Sequence, residues 1–62
     1  MPNIKIDLYE GRSPEQKAQL AEAVMKAFVD ILGSSPADIS LVFNNIKRSD
    51  WHFGQNVYSL AK

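Results

Sequence analysis

Apolar residues fall in two different rhythms along this chain. Ile4, Ile6 and Leu8 alternate with Lys5, Asp7 and Tyr9. That two-residue period predicts a strand over Pro2–Leu8 with one buried face. Glu10-Gly11-Arg12 breaks the alternation and reads as a loop. Ser13-Pro14-Glu15-Gln16 then opens a helix: Ser13 can cap, Pro14 suits the first helical position, and Gln16 completes a capping box. From Pro14 to Leu32 the apolar positions follow helical spacing. Leu20, Val24, Phe28 and Ile31 form a row that Ala21, Met25 and Leu32 widen, while Lys17, Glu22, Lys26 and Asp30 lie on or near the other side. Glu22 precedes Lys26 in the order that favours an ion pair along a helix. Gly33 is placed to end the helix as a left-handed cap.

Ser34–Asp38 is a short connection, with a tight helical turn starting at Pro36. A second strand follows over Ile39–Phe43. Its Leu41-Val42-Phe43 run lacks alternation, which predicts burial on both faces. Asn44–Asp50 is polar and basic and reads as a turn or loop. Beyond Trp51-His52-Phe53-Gly54-Gln55, the stretch Asn56–Leu60 suits a short hairpin or brief strand. The fold class is therefore α/β (α+β): one β-α-β unit with two parallel strands, one long helix, a right-handed crossover and a short C-terminal hairpin or strand.

Composition changes this picture in one respect. Sixty-two residues make a single domain, 1–62. A chain this short buries only about 60% of the surface its unfolded form exposes. It has no Cys to form disulfides or thiolate metal sites, and its one His, His52, cannot build a metal site alone. One helix covers one face of a two-stranded sheet; the other face and the open edges need a second copy of the chain. A homo-oligomer with sites near subunit borders is the expectation. Seven Lys and Arg balance seven Asp and Glu, leaving no net field to attract nucleic acid or an anionic membrane. No apolar run approaches the roughly 20 residues needed to span a bilayer, and no signal-peptide core is present, so the expected location is cytoplasmic.

The candidate chemistry begins at Pro2. Removal of Met1 would leave proline as the first residue, with a secondary amine able to act as base or nucleophile; with Met1 in place its nitrogen is an amide. An α-amino group titrates near ~8. Proline amines are more basic, and an apolar pocket and nearby cations would both lower that value. Taken alone, Met-Pro favours a simple residue at a strand edge over a catalytic one. Arg12, just past the first strand, carries a guanidinium fork suited to a carboxylate, or is a solvated loop charge.

The N-terminal Met-Pro leading into an Ile-rich strand, the string Glu10-Gly11-Arg12-Ser13-Pro14-Glu15-Gln16-Lys17, the spacing to the second strand and an aromatic, Trp51, before a Gly-containing turn together resemble the 4-oxalocrotonate tautomerase family over essentially the whole chain. The resemblance implies a β-α-β subunit, usually assembled as a hexamer, and a cofactor-free keto-enol isomerase. It implies Pro2 as catalytic base, Arg12 on a carboxylate of a small-molecule substrate, and Trp51 packing against that substrate, where the alternative for Trp51 is a core or interface aromatic. The sequence also departs from the family. Ser40 stands where better-known members carry a second arginine, offering a hydrogen bond but no charge. Arg48 or Lys47 is a candidate to replace that cation, or a solvated loop charge. His52, Phe53 and Gln55 surround a single Gly54 in the altered turn. Two alternatives follow: a dehalogenase, hydratase or decarboxylase using the same pocket, with Asp50 the one acid beside Trp51, or a non-catalytic oligomeric binding protein.

Overall fold

The computed structural model describes residues 1–56. In chain order the protein forms strand β1 (Asn3–Tyr9), helix α1 (Pro14–Leu32), a 3-10 turn (Pro36–Asp38), strand β2 (Ser40–Ile46) and a second 3-10 turn (Arg48–Asp50). The strands are parallel and directly paired, in register from Asn3 beside Ser40 to Tyr9 beside Ile46. This is the β-α-β unit that the two rhythms predict.

The helix begins and ends where its punctuation places it. The Ser13 hydroxyl accepts from the Gln16 N–H at 3.1 Å, and the Ser13 N–H donates to Gln16 Oε1 at 3.1 Å, closing the capping box. Gly33 takes φ 68° and donates its N–H to the Val29 carbonyl. The ion pair on α1 differs from the expected one. Lys26 Nζ lies 2.6 Å from Asp30 Oδ2, one turn towards the C-terminus rather than back to Glu22. Both side chains are largely exposed, so the pair contributes little to stability.

The strand boundaries shift from those read in the sequence. β1 starts at Asn3 and runs on through Tyr9. β2 starts at Ser40 and continues through Asn44, Asn45 and Ile46, which the polar composition suggested were loop. Pairing with β1 decides this: Asp7, Leu8 and Tyr9 supply a partner for each of the three. The Leu41-Val42-Phe43 run is not buried on both faces of one chain. Leu41 and Phe43 are half-buried, whereas Val42 is 54% exposed. Of the expected C-terminal hairpin or strand, residues 57–62 lie outside the described residues. Residues 54–56 have helical backbone, with the Asn56 N–H donating to the Phe53 carbonyl at 3.0 Å.

Paired residues of parallel strands share a face, so Ile4, Ile6, Leu41 and Phe43 form the side that α1 covers. Asn3, Lys5, Tyr9, Ser40, Val42 and Ile46 form the other side. The core of one chain is thin. Among the described residues only Ile39, at 8% exposure, is a buried hydrophobic. The radius of gyration is 15.9 Å, against about 11 Å for a compact chain of this length. The chain exposes 5186 Å², where a compact monomer of its mass would expose about 4,000 Å². The fold needs further copies to bury its apolar surface.

Candidate functional site

The parallel strands end side by side, and the chain leaves both in tight turns that converge there. After β1, Gly11 adopts φ 115°, a conformation that side-chain-bearing residues rarely take. This turn delivers Arg12 to the carboxyl end of the sheet. After β2, the 3-10 turn Arg48–Asp50 closes with the Trp51 N–H donating to the Arg48 carbonyl at 3.3 Å. Three residues make one turn of such a helix, so Arg48 and Trp51 project in the same direction. Both reach Tyr9. The Arg48 guanidinium carbon sits 4.3 Å from the Tyr9 ring centroid, and the Tyr9 and Trp51 rings lie 5.0 Å apart at 56°. Phe53 extends the aromatic layer, stacked on Trp51 at 6.4 Å and 26°.

These groups border a cleft of about 410 Å³ lined by Leu8, Tyr9, Glu10, Gly11, Arg12, Arg48 and Trp51. Its volume suits a small molecule, and its place at the carboxyl ends of parallel strands is the usual one for a ligand. Arg12 also borders a second, apolar hollow of about 310 Å³ between β1 and the start of α1, beside Ile6, Leu8 and Leu20. Among the described residues, neither the Arg12 nor the Arg48 side chain has a carboxylate or hydrogen-bond partner. Two guanidinium groups are thus free to meet an anion.

Three of the residues singled out in the sequence, Arg12, Arg48 and Trp51, therefore meet in one cleft. Pro2 and Ser40 do not join them. They lie at the opposite end of the sheet, where the Ser40 N–H donates to the Pro2 carbonyl at 3.1 Å and the Ser40 hydroxyl donates to Asn3 Oδ1 at 2.8 Å. The seven residues of β1 separate the two ends, a span of about 20 Å. Pro2 is half-buried, whereas Met1 is 96% exposed, so the fold draws almost no packing from Met1. Lys47 caps the start of the second 3-10 turn and does not line the cleft. His52 is exposed.

Two lining residues, Tyr9 and Glu10, escaped the sequence reading. Tyr9 counted as the polar partner in a strand alternation, and Glu10 as part of a loop. Their signal is proximity to Arg12, which the register makes meaningful only once Tyr9 is seen beside Ile46. Among the described residues no group of three or more His, Cys, Asp or Glu could hold a metal ion. No helix there is long and apolar enough to cross a membrane.

Comparison with known proteins supplies the chemical context. The family model described as "Tautomerase enzyme" matches residues 2–61. The 2-hydroxymuconate tautomerase of Comamonas testosteroni is 33% identical over 51 residues, covering 82% of this chain and 81% of that relative. A probable tautomerase of Streptococcus mutans is 49% identical over 45 residues, covering 73% and 72%. Among solved structures, TomN, a 4-oxalocrotonate tautomerase homologue in the tomaymycin biosynthetic pathway, superposes with a TM-score of 0.82 at 28% identity, covering 98% of this chain and 97% of that one. The 4-oxalocrotonate tautomerase isozymes from Methylibium petroleiphilum give a TM-score of 0.79 at 28% identity, with 86% of each chain covered. The family match spans nearly the whole sequence, and the parallel β-α-β unit is the fold of these neighbours. The chain belongs to the tautomerase family and is a tautomerase-like isomerase.

Proposed function

We propose that this protein is a cofactor-free keto-enol tautomerase acting on a small enol or α-keto acid, with the Pro2 nitrogen, uncovered by removal of Met1, as general base. The observation that carries this reading is the shared cleft of Arg12 and Trp51, in a chain whose family match begins at Pro2. Arg12 would bind the substrate carboxylate through its planar fork. Trp51 would pack on the conjugated body of the substrate and keep water away from the amine. Pro2 would take a proton from carbon or an enol oxygen and return it elsewhere on the conjugated system. The unprotonated amine is the active form, so the rate should rise with pH through the titration of Pro2 and fall below it.

The geometry sets a condition on this mechanism. Pro2 and Arg12 stand at opposite ends of β1, too far apart to hold one small substrate. A complete site therefore takes Pro2 from one chain and the Arg12–Trp51 cleft from another. The exposed Val42 face and the thin core favour such an assembly, and the family habit for chains of this length points to a hexamer. Ser40, beside Pro2, would offer a hydroxyl to the substrate where better-known members of the family offer a cation. The balanced charge and the lack of a membrane-crossing helix among the described residues support a cytoplasmic setting.

The test is the Pro2→Ala variant of the processed protein, assayed on phenylpyruvate enol and 2-hydroxymuconate. Alanine leaves a primary amine in place of the secondary one, so a form that keeps Met1, in which the Pro2 nitrogen is an amide, is assayed beside it; loss of the base should lower its rate by about 10²- to 10⁴-fold. A rate equal to the parent's in that form would end this reading. A second reading has one observation behind it: Glu10 borders the cleft. A carboxylate there could activate water for hydration or dehalogenation of a haloacrylate in the same pocket. Product analysis with a 3-haloacrylate separates the two, since hydration yields a carbonyl acid and halide where tautomerisation yields neither.

A further inference from the structure

Asn3 has no task in the proposed mechanism. Asparagine has poor strand preference, yet Asn3 opens β1 directly behind Pro2. Its side chain reaches the other strand: the Ser40 hydroxyl donates to Asn3 Oδ1 at 2.8 Å, across 37 positions of sequence. Ser40 also donates its N–H to the Pro2 carbonyl at 3.1 Å. It therefore holds both residues joined by the first peptide bond of the processed chain, one through its backbone and one through its side chain. The partners are Pro2, Asn3 and Ser40, so removal of Met1, 96% exposed, leaves both bonds in place.

The first residues of a chain fray unless they are tied down. An amine at such an end is only as well aimed as the peptide behind it. That peptide is planar, and the proline ring fixes the nitrogen on its own Cα. One torsion, the ψ of Pro2, then relates the nitrogen to the first peptide plane. Half-burial of Pro2 restrains the torsion, and Ser40 restrains the plane. A misplacement of about 1 Å can cost about 10²-fold in rate, so a bond of small net worth to stability can matter to the reaction.

We propose that the Asn3–Ser40 side-chain bond is a clip that aims the Pro2 amine, with Asn3 and Ser40 as positioning residues for the proton transfer. The inference rests on the reading that Pro2 is the base. It gives the serine of the second strand a role within the chain itself. A hydroxyl has one proton to give; that of Ser40 goes to Asn3, and its oxygen keeps lone pairs for a substrate.

The experiment compares Asn3→Ala, Ser40→Ala and the double substitution in the processed full chain. It reads steady-state kinetics on 2-hydroxymuconate, hydrogen exchange at the residue 40 amide and sedimentation. Asn3→Ala is decisive, since no substrate contact is assigned to Asn3. It should lower kcat by about two- to ten-fold, the worth of one hydrogen bond, with KM unchanged. Exchange of the Ser40 N–H should quicken by a similar factor. The double substitution should lose no more than Ser40→Ala, because the two residues share one bond. Ser40→Thr, which keeps the hydroxyl, should recover most of the loss. Parent kcat in Asn3→Ala overturns the proposal, as does a loss confined to KM, an unchanged exchange rate, or additive losses in the double substitution. Should Asn3→Ala alter sedimentation, Ser40→Thr and Ser40→Val, equal in shape and different in the hydroxyl, decide: equal exchange at residue 40 overturns the clip, and faster exchange in Ser40→Val supports it. Exchange is measured without substrate, so it reads the clip whether or not Pro2 is the base. A form keeping Met1 that is as active as the parent would remove the base and leave the exchange difference standing. Parent kcat in Asn3→Ala would remove the clip and leave the base untouched.

Discussion

Arg12 owes its position to the residue before it. Gly11 turns the chain at φ 115°, where a side chain would add strain, and the turn sets Arg12 on the wall of the cleft. If Arg12 holds the substrate carboxylate, Arg12→Gln should lower kcat/KM by about 10- to 100-fold, the range for losing hydrogen bonds to a charged group. Arg12→Lys should recover part of the loss, since it restores charge without the fork. Steady-state kinetics on 2-hydroxymuconate would check both, and an unchanged kcat/KM in Arg12→Gln would count against the assignment. Part of the cleft lining was legible in the sequence. Arg12 and Trp51 stood out by their setting, and the structure brings them together with Arg48. Tyr9 was not legible as a site residue. A tyrosine at the end of an alternating strand gives no sign of what will lie against it, and its partners, Arg48 and Trp51, stand some forty residues further along the chain.

At the scale of elements, local chemistry was read most faithfully where it acts locally. The capping box at Ser13 and Gln16 and the left-handed Gly33 each involve residues within a few positions of one another, so they place the ends of α1 from sequence alone. The end of β2 could not be read in the same way. Asn44 and Asn45 have poor strand preference, and only pairing with Asp7 and Leu8 extends the strand through them. That extension matters to the site. It carries Ile46 up to Tyr9, with the Glu10 N–H donating to the Ile46 carbonyl at 3.0 Å, so the following turn places Arg48 and Trp51 over the ring. Had β2 stopped at Phe43, the turn would lie lower on the sheet and the cleft would lose one wall.

For the whole molecule, the controlling fact is how little one chain buries. Ile31 is 79% exposed and Val42 54%, the latter on the sheet face that α1 leaves open. Burying what remains exposed of each would contribute roughly 1–2 kcal/mol, which a neighbouring copy can provide and a single chain cannot. Val42→Asp should therefore shift sedimentation of the protein towards monomer and reduce tautomerase activity in parallel, because in the proposed mechanism assembly brings Pro2 of one chain to the cleft of another. An oligomer of unchanged size and activity would contradict this use of the open face. The need for partners was legible from length and composition, because a chain of this size without cysteine has few other means of stabilisation. The separation of Pro2 from Arg12 within one chain was not, since it follows from both residues flanking the same extended strand.

The central claim is that the protein works through a free proline amine, and the mass of the intact natural chain tests it most directly. A mass lower than the encoded sequence by one methionine residue is the expected result, leaving Pro2 with a secondary amine. A natural chain that keeps Met1 would contradict the account, because an amide nitrogen cannot serve as the base.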